Sequence, residues 1–118
     1  MDELFNKLVS AAASINIPAD AVADGMYYGT AERYVVVQIM ISPTFWGNDS
    51  PLVDRYSFYF DVYIPIKEQY RAWVAALRRK LEELGMNEVN YQGQEQDTEA
   101  DKRCVMFNGS YDIYREEE

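Results

Sequence analysis

The spacing of apolar residues changes period several times along the chain, and each change marks an element. From Asp2 to Ser14, Leu4, Phe5, Leu8, Val9 and Ala12 fall on one stripe with helical spacing, and Asp2 stands where a helix start favours an acidic cap. Ile15 to Asp24 loses the period around Pro18 and a run of small residues, so it reads as a connector leading to Gly25. Met26-Tyr27-Tyr28 is expected as a short strand, turned by Gly29-Thr30-Ala31-Glu32 into a β-branched run from Arg33 to Ile41. In that run Val35, Val37, Ile39 and Ile41 share a face, so a hairpin is predicted over Gly25 to Ile41.

Ser42 to Asp54 carries Pro43, Gly47, Asn48, Asp49 and Pro51 without periodicity and is predicted to be a loop. Strict alternation follows: Tyr56, Phe58, Phe60, Val62 and Ile64 point one way, and Ser57, Tyr59, Asp61 and Tyr63 the other. Pro65 ends this strand. From Lys67 the apolar spacing becomes Tyr70, Trp73, Val74, Leu77, Leu81 and Leu84, a long amphipathic helix closed by Gly85 and carrying Arg78, Arg79 and Lys80 near its negative end. Asn87 to Tyr91 forms a short strand in this reading, and Gln92 to Asp101 an acidic mobile loop. Arg103 to Tyr114 alternates again with Val105, Phe107, Tyr111 and Ile113 on one face, and Gly109 marks a bulge or a close backbone approach. The expected fold is α+β: a mostly antiparallel sheet of four to five strands with two helices packed on one face, in a single domain over residues 1–118.

Composition narrows the chemistry. The 118 residues include no His and one Cys, so histidine-based acid/base catalysis, histidine zinc sites and an internal disulfide are excluded. Cys104 is expected to be a structural thiol. The net charge of −9 disfavours independent binding to nucleic acid or anionic membrane, and neither a leader nor a membrane span is expected. Glu95, Asp97, Glu99 and Asp101 lack the glycine turn and closing glutamate of a calcium loop, and read as a solvated acidic stretch. No glycine-rich phosphate cradle is present. No catalytic, cofactor-binding or metal residue is nominated, and the chain is read as a non-enzyme.

What remains is surface. The basic group Arg71, Arg78, Arg79 and Lys80 is either a solvated helix face paired with Glu68, Glu82 and Glu83 or a contact with acidic surface on another copy. Tyr59 and Tyr63 lie opposite the Phe58–Phe60 face, and are either covered by a helix or the N-terminal segment or available to a partner. Phe45 and Trp46, two large aromatics in the expected loop, either fold back onto the core or insert into a neighbour. These eight residues are the candidate subunit or partner interface.

The layout over nearly the whole chain resembles the tail terminator, or tail-completion, proteins of long-tailed bacteriophages. The matching features are the N-terminal helix, the Gly25 to Ile41 hairpin region, the long loop, the strand–helix passage Arg55 to Leu84, and the polar loop with the final strand Arg103 to Tyr114. Tyr56-Ser57-Phe58-Tyr59-Phe60-Asp61-Val62-Tyr63 followed by Arg78-Arg79-Lys80-Leu81-Glu82-Glu83-Leu84 looks most like members from phages and prophages of Gram-positive bacteria. The resemblance implies a ring, usually a hexamer, that stops tail-tube polymerisation and presents a surface to the head connector. It also implies a place in the virion neck after assembly in the host cytoplasm, with DNA only passing through the lumen and no cofactor. The competing readings are a monomeric acidic adaptor or inhibitor acting on a basic partner, and a His-free enzyme.

Overall fold

A computed structural model describes the backbone of residues 2–47, 50–98 and 100–114, and the side chains of 3–41, 53–98 and 100–114. Helix α1 (Asp2–Ala13) is followed by a short 3-10 turn (Ala19–Ala21), strands β1 (Val22–Asp24), β2 (Tyr34–Gly47) and β3 (Ser50–Pro65), helix α2 (Arg71–Glu83), and strands β4 (Asn87–Asp97) and β5 (Lys102–Tyr114). The strands form one sheet in the order β1-β2-β3-β5-β4, antiparallel except for the β1–β2 pair. The fold is α+β.

The alternating residues carry out the burial that their period predicts. Val35 lies opposite Val62, Val37 opposite Phe60, Phe60 opposite Phe107, and Val62 opposite Val105, so one face of β2, β3 and β5 is a continuous apolar surface. Leu4, Leu8, Ala11 and Ala12 of α1 and Leu77 and Leu81 of α2 close over it, and all of these side chains are buried in one cluster. Gly109 is a point of close approach, facing Phe58 in an unbroken β3–β5 register, and it lies opposite the β4–β5 register shift between Asn87 and Asn90. Gly85 takes φ +99°, the left-handed conformation that closes a helix end, and its N–H donates to the Glu82 carbonyl.

Four expectations are corrected by the structure. The strand before β2 is Val22–Asp24, running parallel to it, and not Met26–Tyr28 in a hairpin. Gly25 at φ +89° ends that strand, and Tyr27 instead stacks on Tyr34 with ring centroids 4.4 Å apart. Ser42 to Asp54 is not a loop, because β2 runs to Gly47 and β3 starts at Ser50. Register shifts between Pro43 and Phe45 and between Phe45 and Trp46 absorb the irregularity, and β1 reaches only to Val37, so Pro43 sits on an edge where a missing N–H is tolerated. Most of Gln92 to Asp101 is also strand: β4 continues to Asp97 and pairs with β5 as far as Lys102. Charged residues sit comfortably there because β4 is an edge strand, with solvent on its outer side. Finally, α2 begins at Arg71, after a turn at 66–70, and not at Lys67.

The molecule is elongated, with extents of 53 × 27 × 21 Å. Its radius of gyration is 15.5 Å, whereas a compact chain of this length would have about 13.5 Å. The long β2–β3 pair outgrows the helical layer, and this overhang positions the surface considered next.

Candidate functional site

The face of the sheet away from the helices carries a graded set of side chains in cross-strand rows. One row runs Tyr34, Tyr63, Cys104, Glu95, and the next Val36, Asp61, Met106, Gly93. Beyond them come Gln38, Tyr59, Asn108 and Asn90, then Met40, Ser57, Ser110 and Asn87. Arg55 and Asp112 follow, joined by two hydrogen bonds of 2.9 and 3.2 Å in which both guanidinium donors meet the carboxylate. This arginine holds the Asp112 carboxyl below its ordinary range.

At one end of the face the tyrosines are ordered by stacking. Tyr27, Tyr34 and Tyr63 form a continuous stack, with Tyr34 and Tyr63 centroids 4.8 Å apart, and the Lys102 ammonium lies over the Tyr34 ring. Beside the stack is an open depression of about 320 Å³ lined by Tyr34, Asp61, Tyr63, Glu95 and Cys104 among others. Partial burial raises the Asp61 carboxyl pKa, and Glu95 adds to the rise. Burial, reinforced by Asp61, pushes the Cys104 thiol up to about 11. The thiol therefore stays protonated at neutral pH and is a poor nucleophile there. Burial, with Cys104 beside it, also raises the Tyr63 hydroxyl. The thiol and the Tyr63 hydroxyl are thereby held in their neutral forms at neutral pH, which suits contact better than proton transfer.

At the other end exposed apolar side chains stand on both faces of the sheet, although Val53, Asp54 and Tyr56 of β3 are buried there. Along the helix-facing side of β2, Val35 and Val37 are buried, Ile39 is half-buried and Ile41 is 54% exposed. On the opposite side Met40 is 51% and Tyr59 42% exposed, and Tyr114 at the end of β5 is 75% exposed. Four large apolar side chains thus stand in solvent near the base of the β2–β3 overhang.

The eight residues singled out from the sequence divide into separate surfaces. Tyr59 and Tyr63 lie on the open face, and neither helix covers them. Arg71, Arg78 and Arg79 are exposed and Lys80 half-buried on α2, in the opposite layer. Arg78 reaches Glu82 at 3.9 Å, one helical turn on. Phe45 and Trp46 belong to the backbone of β2 near its far end, and their side chains lie outside the described residues. Met40, Ile41 and Tyr114 were not singled out from the sequence. The signal for the first two was the unbroken alternation into Ser42, whose polar continuation reads as a loop when the prolines are weighed alone.

No protein-family model matches the chain, and no curated protein sequence matches it. Nineteen solved chains match its structure. One of them, which bears no functional name, covers 99% of this chain and 94% of its own at 19% identity, with a TM-score of 0.58. That likeness concerns the fold.

Proposed function

We propose that this chain is a structural assembly protein acting by surface fit, a homo-oligomeric ring component of the kind that ends tail-tube polymerisation and joins a phage tail to its head connector. The observation that carries the reading is the overhang, where Met40, Ile41, Tyr59 and Tyr114 are exposed across both faces of one sheet end. Full burial of such a side chain contributes roughly 1.5–3 kcal/mol, so leaving them in water is a standing drive toward association. A ring doubles the effect, since every copy uses two contacts. The raised pKa of Cys104 and the stacked tyrosines favour a binding face over a reactive one. The tail-terminator assignment rests on the sequence layout, of which the fold keeps the helix, strand and helix–strand order but not the hairpin or the two loops.

Electron microscopy of the purified protein tests this reading. Closed rings of one size, which cap the open ends of tail tubes when the two are mixed, are the expected result. Single small particles and tubes of unrestricted length contradict it. A second reading, a monomeric adaptor that takes up a basic side chain, draws on the depression where Asp61 and Glu95 flank the Tyr34 and Tyr63 rings. In that case the protein stays monomeric and a lysine-rich peptide perturbs Tyr63.

A further inference from the structure

An open pocket of about 410 Å³ lies between the turn at 66–70, the start of α2 and the helix-facing side of β4 and β5. Lys67, Glu68, Tyr70, Arg71, Gln94 and Arg103 are among its lining residues. Arg103 has the same strand parity as the buried Val105 and Phe107, so its guanidinium is held on the apolar side, stacked 4.8 Å from the Tyr70 ring centroid. Its Nε is buried with no hydrogen-bond partner, and so is Oε1 of Gln94. Leaving such atoms unpaired costs about 1–3 kcal/mol each.

Charge points the same way. The chain has 20 acidic residues against 11 basic ones, yet three basic side chains, Lys67, Arg71 and Arg103, line this one pocket. None of the ion pairs among the described residues uses them: those pairs are Arg33–Glu68, Arg55–Asp112 and Arg78–Glu82. The one carboxylate in the pocket, Glu68, is engaged by Arg33 at 2.8 Å. Helix α2 starts there with no side-chain cap and no acidic residue in its first turn, so its positive end also faces the pocket uncompensated.

We propose that this pocket binds a carboxylate side chain presented by an acidic segment of a protein partner. A carboxylate meets the Arg103 and Arg71 guanidiniums, and Arg103 and Gln94 turn toward the segment to give their buried Nε–H and Oε1 the partners these atoms lack. Free phosphate answers only the first need and fills a small part of the space. Strand β4 is an edge, so an acidic segment running along it can pair with its outer backbone groups while an alternate side chain enters the pocket. At an ionic strength of about 0.15 M the screening length is about 8 Å, so these local cations outweigh the distant net charge.

The test is a titration of the ¹⁵N-labelled full chain with hexaglutamate and, separately, with inorganic phosphate. Hexaglutamate should shift the Arg103 Nε–H, the Gln94 side-chain amide and the first backbone amides of α2. Arg103→Lys, which keeps the charge and removes Nε, and Arg71→Gln, at an exposed site, should each weaken binding at least tenfold. Arg78→Gln should leave it unchanged. No shift at millimolar peptide, equal binding by both pocket variants, or the same shifts from phosphate at lower concentration would each overturn the proposal. If Arg103→Lys loses the folded spectrum, Arg71→Gln alone decides.

Discussion

A methyl group added at position 109 would lie 2.8 Å from Cζ and 2.9 Å from Cε1 of Phe58, and 3.1 Å from the Asn87 carbonyl oxygen. Phe58 is fully buried, so its ring has no free direction in which to retreat. Gly109→Ala is therefore expected to destabilise the fold by about 1–3 kcal/mol, read as a lower urea midpoint. Asp61 works in the opposite sense. Its raised pKa means that the folded state binds the proton more tightly than the unfolded chain, so stability falls as pH rises through the folded pKa. Asp61→Asn should thus be more stable than the parent at pH 7, and the gain should shrink as pH falls into and below the carboxylate range; urea unfolding at two pH values checks it. An unchanged difference would mean that another group titrates there. The glycine was legible from sequence because it interrupts an alternating run. The carboxyl was not, since its burial depends on Val36 and Met106 in neighbouring strands.

At the scale of elements, what could be read was whatever carried its own period. The alternation of Tyr56 to Ile64 and the helical spacing from Tyr70 to Leu84 both reappear as buried faces. Two prolines and Gly47 between 42 and 54 concealed the continuation of two strands, because turn-forming residues are ambiguous when long paired strands carry their irregularities on an edge. The acidic run before Asp101 misled for a related reason: an edge strand needs no apolar alternation. The overhang that results is the element to which the proposed association is assigned. Met40→Lys and Ile41→Lys alter exposed side chains, so each should change monomer stability by no more than about 0.5 kcal/mol. If the overhang forms the contact, each should weaken self-association at least tenfold in sedimentation equilibrium. Unaltered association in both variants would place the contact elsewhere. The candidate site was only partly legible: Tyr59 and Tyr63 followed from parity, whereas Tyr114 stands exposed on the same open face as the last residue of β5.

For the whole molecule, length and uneven cover matter more than any single group. Two helices protect one end of a five-stranded sheet, and the other end extends past them with apolar residues on both faces. Such a shape presents different surfaces at its two ends, as the head-to-tail contacts of the proposed ring require. The net charge of −9 disfavours the close approach of a polyanion. Neither property needs chemistry at a site. The most direct measurement is the mass of the purified chain by size-exclusion chromatography with light scattering, over a range of concentrations. One fixed multiple of 13.7 kDa, held as the sample is diluted and lost in Met40→Lys, is the predicted result. A particle of 13.7 kDa at every concentration, including in the presence of tail tubes, would contradict the account.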